Sequence, residues 1–273
     1  MRIALLFLAF LAVLTLAATA EQGSPLKTLM TGNDSRGWEA VGRLDIAGRA
    51  FCTGALIAPD LVLTAAHCLY NGETGQRYAP ADIEFRADWR NGRASAYRTV
   101  RRAISHPQYS YSASDRSSRI AYDLALLQLD QPVRNSRIKP FATDARPRKG
   151  AEVGVVSYAH DRAESPSLQE LCFVLARRSG TLVLSCEVDF GSSGAPIFSI
   201  GDDGVARIVS VISAKADVGG QKVSLGTSLE QPLFDLRAMM AAEEAVLAAE
   251  PPKVRVLKSD HGLDKTGAKF LRP

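Results

Sequence analysis

The chain has 273 residues, of which 46% are hydrophobic and 23% are charged. Its 33 Lys and Arg residues exceed its 29 Asp and Glu residues by four, and the basic residues are scattered through strand-like and loop-like segments alike. This composition supplies ample chain for a packed globular core. The lack of a basic stripe or patch argues against a nucleic-acid-binding surface.

Residues 1–20 have the pattern of an export signal. Arg2 precedes an apolar run that ends in Ala18-Thr19-Ala20, the small-x-small pattern that signal peptidase accepts. The run is short for a bilayer span, which favours cleavage over an uncleaved anchor. We therefore predict an exported protein, periplasmic or extracellular, with no stable membrane span after cleavage of the signal.

From about Trp38 to Ser228 the sequence alternates short apolar runs with turn residues. About eleven runs rich in Val, Ile, Leu and Phe are separated by Gly, Pro, Asn or Asp at intervals of about eight to twelve residues. Helical segments are not regularly interposed between them. The pattern predicts an all-β fold of antiparallel strands, in a sandwich or a barrel, and argues against a parallel sheet.

The four cysteines form two locally spaced pairs, Cys52 with Cys68 and Cys172 with Cys186. In the oxidising compartment that an exported protein enters, such pairs become disulfides. Three connectivities are possible. Pairing neighbours would close two loops of roughly fifteen residues, each worth about 3 kcal/mol in the loop-entropy model. Neither pair has the C-x₂₋₄-C spacing of a zinc site, so we expect no metal.

Two segments carry residues suited to acid–base chemistry. The apolar strand 63–66 leads directly into His67, beside Cys68. A general base needs such a rigid position, because its imidazole must reach the nucleophile while an acceptor orients its other nitrogen. Asp123 opens another apolar run, where a carboxylate is costly unless it is paired, and a histidine Nδ1–H is a suitable partner. Taken singly, a packed histidine and an aspartate that begins a strand are the simpler interpretations.

The third segment, Gly191-Ser192-Ser193-Gly194-Ala195-Pro196, lies between two strand-like runs. Small residues on both sides allow a sharp turn that exposes one hydroxyl and directs neighbouring N–H groups to one point. With Ser193 as the nucleophile, the amides of Gly191 and Ser193 would bind the oxyanion of a tetrahedral intermediate. A Gly/Ser turn in a hairpin is the simpler interpretation of this segment alone.

Together, and in this order, the three segments resemble the trypsin-like serine peptidases of the chymotrypsin fold. The family block T-A-A-H-C is unchanged at 64–68, D-[IL]-A-L-[IL] is matched at 123–127, and G-D-S-G-G-P is matched at 191–196 with two changes. The resemblance covers roughly residues 38–236. It implies a double six-stranded β-barrel with the site in the cleft between its halves, and a C-terminal helix packed on the second half.

The resemblance also implies the chemistry of the site. The catalytic triad would be His67, Asp123 and Ser193, and Cys52 has the spacing of the family cysteine that bridges to Cys68. The substrate would be a protein or peptide, and no cofactor is required.

The departures from the family pattern concern activation. Ser192 stands where trypsin-like zymogens have an aspartate that pairs with a newly cut N-terminal amine, and residues 36–39 lack the usual I-V-G-G start. We therefore do not expect activation through that salt bridge. Bacterial glutamyl endopeptidases also lack this aspartate, and the chain resembles them more than it resembles the digestive enzymes.

Three residues are predicted to bind the substrate. Counting back from Ser193 without gaps places Glu187 at the pocket floor and Asp189 near its wall, where a carboxylate would favour Lys or Arg at the cleaved residue. The alternative is that both acids face solvent. Ser210 is similar to the family serine that hydrogen-bonds the buried aspartate, and its strand edge would accept the substrate backbone. Ile212 is bulkier than the usual glycine and would narrow the pocket entrance.

Beyond Pro232 the composition changes to Leu, Ala, Met and Glu, which predicts a helix of about eighteen residues that stops at Pro251-Pro252. The predicted organisation is a signal peptide (1–20), an N-terminal segment or propeptide (21–37), a peptidase domain (38–249) and a basic tail (250–273). We expect the tail to be solvated and flexible.

The sequence thus predicts a serine endopeptidase that hydrolyses peptide bonds through an acyl-enzyme. One alternative belongs to another class: a catalytically silent chymotrypsin-fold module that binds peptides or proteins. Ser192, Ala195 and Ile212 motivate it, because they depart from the family pattern around the nucleophile and the pocket.

Overall fold

The computed structural model describes residues 23–249, which form thirteen β-strands and two α-helices. The predicted signal peptide, the basic tail and the predicted helix stop at Pro251-Pro252 lie outside the described residues. Among residues 23–249, no helix is both long and apolar enough to cross a membrane.

The described chain begins with a short strand, β1 (Lys27–Thr28), which pairs with the second barrel at Ser167 and Leu168. Leu29, the next residue, is only 1% exposed and belongs to the main core cluster. Its N–H donates to the carbonyl of Pro166 at 2.8 Å. Part of the segment predicted to precede the peptidase domain is therefore packed against that domain.

Six strands form a closed antiparallel barrel in the N-terminal half. They are β2 (Val41–Ile46), β3 (Ala50–Ala58), β4 (Leu61–Thr64), β5 (Ile83–Ala87), β6 (Ala96–Ser105) and β7 (Ala125–Leu129). The order is β2-β3-β4-β7-β6-β5, and β5 pairs with β2 to close the ring. Alternate residues of β5, Ile83, Phe85 and Ala87, are buried, as the two-residue period of a strand requires.

Six further strands form the second barrel. They are β8 (Glu152–Ala159), β9 (Arg162–Arg178), β10 (Thr181–Leu184), β11 (Pro196–Ile200), β12 (Ala206–Val218) and β13 (Gln221–Ser228). The order is β8-β9-β10-β13-β12-β11, and the ring closes because β8 pairs with both β9 and β11. The prediction of a double six-stranded antiparallel barrel is confirmed.

Helix α2 lies on the first barrel, and helix α1 lies beside the junction of the two barrels. Helix α1 (Arg116–Ala121) lies between β6 and β7, and Asp115 caps it by accepting the N–H groups of Ser117 and Ser118. Helix α2 (Glu230–Ala249) begins two residues before Pro232. Proline has no N–H, and the first turn of a helix tolerates it because an N–H there would have no partner within the helix.

The predicted C-terminal helix is present, but its packing differs from the implied one. Arg102 of β6 donates to the Met240 carbonyl at 2.9 Å and forms an ion pair with Glu243 at 3.5 Å. Leu236 is fully buried in the cluster that contains the first barrel's interior. Helix α2 therefore packs on the first barrel, not on the second, because its apolar face and its polar contacts both meet β6.

Candidate active site

The structure places His67 in a short 3-10 turn, Ala66–Leu69, that follows β4 at the cleft between the barrels. Cys68 in this turn forms a disulfide with Cys52 of β3, which ties the turn to the barrel wall. The imidazole is 26% exposed, whereas the other residues of the turn are buried. Cys52, Cys68 and His67 lie close enough to hold a metal ion, but the disulfide removes both thiolates.

Asp123 lies between α1 and β7 and is only 3% exposed. Its Oδ2 is 2.7 Å from His67 Nδ1, and its Oδ1 accepts the backbone N–H of His67 at 2.8 Å. Ser213 Oγ donates to Oδ2 at 2.5 Å. Three donors therefore offset the cost of burying this carboxylate. Because Oδ2 is an acceptor, His67 carries its proton on Nδ1 and presents a bare Nε2 to the cleft.

Burial and two neighbouring charged groups set the pKa of His67. Burial lowers the pKa, but the charge of Asp123 and the hydrogen bond to it together raise the pKa by more, so it lies above the ordinary value for histidine. The cation of Arg119 opposes this increase. The imidazole is therefore a stronger base than a free histidine.

Ser193 lies in a turn that leads into β11. Gly191 and Gly194 on either side have φ angles of 97° and 78°, in the left-handed region that favours glycine. At Gly194 a Cβ atom would also lie 2.1 Å from Thr64 Oγ1, so the turn fits closely against the first barrel. Thr53 of β3 holds the turn twice: its N–H donates to the Ser193 carbonyl at 2.8 Å and its hydroxyl donates to the Gly191 carbonyl at 2.9 Å.

The turn leaves two amides unengaged. Within residues 23–249, neither the Gly191 N–H nor the Ser193 N–H donates a hydrogen bond. Both residues line one cavity of about 630 Å³ together with His67. Ser193 Oγ and His67 Nε2 share this cavity without a hydrogen bond between them in the described structure, as is common in ligand-free sites whose contacts tighten on binding.

Comparison with known proteins agrees with this geometry. The family model described as Trypsin matches residues 31–222, well over half of the chain. The chain belongs to the trypsin family. The prediction of a trypsin-like peptidase fold is thus confirmed, and so are the two disulfides, Cys52–Cys68 and Cys172–Cys186.

The relatives of the chain include a bacterial glutamyl endopeptidase, as the predicted similarity to these proteins requires. It is 22% identical to the glutamyl endopeptidase of Bacillus licheniformis over 217 residues, 78% of this chain and 66% of that protein. It is 34% identical to human cathepsin G over 111 residues, 40% of this chain and 38% of that protein. The chain thus spans less than two thirds of the length of these relatives. A solved structure of Glu endopeptidase in complex with MPD superposes with a TM-score of 0.64 and 16% identity, covers 81% of this chain and 98% of that one, and shows the fold.

Ser192, at the trypsin-family activation position, is held by neutral contacts. The residue is fully buried, and its Oγ lies 3.2 Å from the Tyr158 carbonyl and 3.3 Å from Ser157 Oγ. The same hydroxyl accepts the Asp189 N–H at 3.3 Å. The second barrel therefore holds the turn of Ser193 without a buried ion pair at position 192.

The prediction that Ser210 hydrogen-bonds the buried aspartate is wrong. Ser210 Oγ donates to the Thr227 carbonyl at 2.8 Å, between β12 and β13, and Ser213 is the residue that reaches Asp123. The pairing of β12 with β13 shifts register between Ile212 and Ala214, and this bulge directs Ser213 to the cleft. A sequence pattern of alternating residues does not reveal such a bulge.

Ile212 lines the Ser193 cavity, and its backbone supports the turn that contains Ser193. It is only 2% exposed, its N–H donates to the Ala195 carbonyl at 2.9 Å, and its carbonyl accepts the Gly194 N–H at 2.8 Å. The exposed side chains at the cavity include Lys215 and Phe190, the latter 73% exposed. Ile212 is therefore a buried wall residue and does not project into the entrance as predicted.

The structure does not bring Glu187 to Ser193. Glu187 is exposed, its N–H donates to Gln169 Oε1 at 2.7 Å, and it lines an adjoining hollow of about 560 Å³ that shares Asp189 and Lys215 with the Ser193 cavity. The disulfide from Cys186 to β9 holds the start of this segment on the barrel surface, so an ungapped count from Ser193 misplaces it. Asp189 lines both hollows and is paired with Lys215 at 2.6 Å, whereas Glu187 forms no ion pair within residues 23–249.

Sequence reasoning missed three basic residues beside the site. Lys215 lies at the cavity of Ser193, and Arg116 and Arg119 of α1 line an adjoining hollow with His67. The signal available in the sequence was the spacing of the two arginines, three residues apart and just before Asp123, which places both on one face of a helix.

Proposed function

We propose that the protein is a serine endopeptidase with His67, Asp123 and Ser193 as its catalytic residues. The observation that carries the proposal is the buried Asp123, which fixes the His67 tautomer through Nδ1 and leaves Nε2 in the cavity that Ser193 lines. A buried carboxylate bonded to a partly exposed imidazole beside a serine in a tight turn is the arrangement that activates a hydroxyl nucleophile.

The reaction follows from these positions. Ser193 Oγ attacks the scissile carbonyl carbon while its proton passes to His67 Nε2, and Asp123 stabilises the imidazolium. The carbonyl oxygen becomes an oxyanion, which the unengaged N–H groups of Gly191 and Ser193 bind. The C–N bond then breaks as His67 returns its proton to the leaving amine. Water repeats the sequence on the acyl-enzyme, with His67 as the base, and releases the acid.

The test uses a fluorophosphonate probe, which reacts with an activated serine, and a peptide library of unbiased sequence. The purified protein is expected to take up one probe at Ser193 and to cleave peptides, and Ser193→Ala is expected to do neither. Ser136→Ala, an exposed serine on the segment between the barrels, is the matched control and should behave as the parent protein. A folded protein that neither reacts nor cleaves would contradict the proposal.

A peptide-binding module without catalysis is the second candidate. The exposed Lys215 and Phe190 at the cavity, with the Lys215 Nζ 4.1 Å from the Phe190 ring centre, favour it because they are well suited to hold a peptide at the cleft. Under this alternative, peptides would bind to the folded protein while Ser193 stays unreactive toward the probe.

Both disulfides and the relationship to glutamyl endopeptidase suggest export. We propose cleavage after Ala20, a peptidase domain that extends to about residue 249, and a separate tail at 250–273. Mass spectrometry of the exported protein would give its first residue. A mature chain that starts within 31–37 would lack β1 and the buried Leu29, and would show instead that the N-terminal segment is a propeptide.

A further inference from the structure

Helix α1 presents two arginines to the cleft beside the catalytic histidine. Arg116 and Arg119 line a hollow of about 500 Å³ that also contains His67, Asp123 and Ser213. Tyr109 and Tyr111 form another wall, and the Arg119 guanidinium lies 6.0 Å from the centre of the Tyr111 ring. The hollow is thus aromatic and basic, and it is continuous with the site of the proposed reaction.

The positive charge of this hollow is not neutralised within the described part of the chain. Neither Arg116 nor Arg119 forms an ion pair with a carboxylate among residues 23–249. Three nearby acids are engaged with other groups: Asp123 with His67 and Ser213, Asp115 with the first turn of α1, and Asp189 with Lys215. Their contacts range from 2.5 to 3.3 Å. The single carboxylate in the hollow is therefore already committed to the catalytic histidine.

One edge of β12 runs along the same hollow. β12 pairs with β13 as far as Val218, but it pairs with β11 only up to Val211. Residues 213–216 therefore have one edge without a strand partner. Ser213 and Ala214 line the hollow, and Arg116 donates to the Lys215 carbonyl at 3.4 Å, so α1 overhangs this edge. An extended peptide can add to such an edge through backbone hydrogen bonds, with alternate side chains directed to one side.

We propose that Arg116 and Arg119 select substrates with an acidic side chain two to four residues from the scissile bond, on the stretch of peptide that lies along β12. Guanidinium groups bind carboxylates through paired, charge-assisted hydrogen bonds, and Arg116 and Arg119 are the unpaired cations at this edge within the described residues. The inference rests on the proposed function in one respect: the peptide must occupy the cleft of Ser193.

The cleavage test compares matched peptides with Glu or Gln at each position two to four residues before or after the scissile bond. The parent enzyme is expected to cleave the Glu peptide with a kcat/KM about tenfold higher at one or more of these positions, and the preference should shrink at high salt. The double variant R116Q/R119Q should lose most of the preference. R134Q, an exposed arginine on the segment between the barrels, should retain it.

Two further measurements separate this inference from the proposed function. Fluorophosphonate labelling of every sample shows whether Ser193 is active and whether the variants are folded. Binding of the Glu and Gln peptides to Ser193→Ala, with and without the arginine changes, is followed by fluorescence anisotropy and needs no catalysis. Tighter binding of the Glu peptide that disappears in R116Q/R119Q supports the inference even if no labelling occurs. Equal treatment of the two peptides, or a preference that survives in R116Q/R119Q, would overturn it.

Discussion

The two barrels hold their parts of the site by opposite means. The first barrel positions His67 with a buried charge, Asp123, which accepts hydrogen bonds from two donors of His67 and from one donor of the second barrel, Ser213. The second barrel positions Ser193 with neutral contacts: backbone hydrogen bonds, two glycines in the left-handed region and the buried Ser192 hydroxyl.

This difference has a functional consequence. A buried charge stabilises the imidazolium only while its partners are in place, so changes on the first barrel should alter proton transfer and its pH dependence. The neutral turn has no charge to titrate, so changes there should alter oxyanion binding at every pH. Each barrel also contributes a hydrogen bond to the other's part of the site. Thr53 of the first barrel donates to the Gly191 carbonyl in the turn of the second barrel, and Ser213 of the second barrel donates to Asp123.

The largest effect is expected when the buried charge is removed. In Asp123→Asn the amide can no longer hold the Nδ1–H tautomer, and kcat should fall by about 10⁴ near neutral pH. Asp235→Asn is the matched control, because Asp235 Oδ2 lies 3.4 Å from Nε2 of the buried His106, and neither residue lines the Ser193 cavity. Peptide hydrolysis is measured for both variants. Near-normal turnover by Asp123→Asn would show that the carboxylate does not orient the base.

The next effect concerns the neutral turn. A Cβ at Gly191 would lie 2.3 Å from Phe51 Cε2 and 3.1 Å from the Ala159 Cα, at a φ of 97°. Gly191→Ala should therefore shift the turn and its amide, and kcat should fall by about 10²–10³ without a change in the pH profile. Gly92→Ala is the control for backbone strain alone: its φ is 82°, and a Cβ there would contact nothing within 4 Å. Equal losses in the two variants would mean that strain, not the position of the amide, is responsible.

A smaller effect tests which serine, Ser213 or Ser210, supports Asp123. Ser213→Ala removes the 2.5 Å hydrogen bond to Oδ2 and should lower kcat/KM about tenfold, since a hydrogen bond to a charged group contributes about 1.5–3 kcal/mol. Ser210→Ala, which loses only its bond to the Thr227 carbonyl, should leave kcat/KM unchanged. A larger loss of kcat/KM in Ser210→Ala than in Ser213→Ala would show that Ser210 is the serine that supports Asp123.

The smallest effect is a displacement of the pH profile. The Arg119 cation lowers the pKa of His67, so Arg119→Gln should raise that pKa further. Because only the neutral imidazole accepts the serine proton, the acid limb of kcat/KM should move to higher pH, while the plateau above it stays unchanged for an uncharged peptide. The pH dependence of kcat/KM is measured beside that of Arg134→Gln. An acid limb that moves to lower pH would contradict the assigned direction.

The catalytic side of the molecule could be predicted from sequence because short motifs determine it locally. The run 64–68 fixes the histidine turn, Asp123 lies just before β7, and the glycines around Ser193 fix the tight turn, so the local backbone sets the position of each group. The spacing of the apolar runs indicated an antiparallel sandwich or barrel, and the double barrel was implied by the resemblance to the trypsin-like peptidases that the same motifs carry. None of these features depends on the length of a distant loop.

The substrate side could not be predicted in this way. Glu187 was placed by an ungapped count, but the Cys172–Cys186 disulfide and the hydrogen bond to Gln169 hold it on the barrel surface. Ser210 was chosen over Ser213 because a strand pattern does not show a bulge. The position of α2 depends on which barrel offers a complementary surface. The first barrel does so, and Arg102 of β6 binds the Met240 carbonyl of the helix. All three depend on tertiary contacts between segments far apart in the chain.

The most direct measurement is the rate of fluorophosphonate labelling as a function of pH, with the labelled residue located by peptide mapping, in the parent protein and in Asp123→Asn. The expected result is a single label on Ser193, formed at a rate that rises with pH through one transition as His67 loses its proton, and strongly slowed in Asp123→Asn. A folded, disulfide-bonded protein that remains unlabelled, or whose labelling is indifferent to Asp123, would contradict the assignment of His67, Asp123 and Ser193 as one catalytic unit.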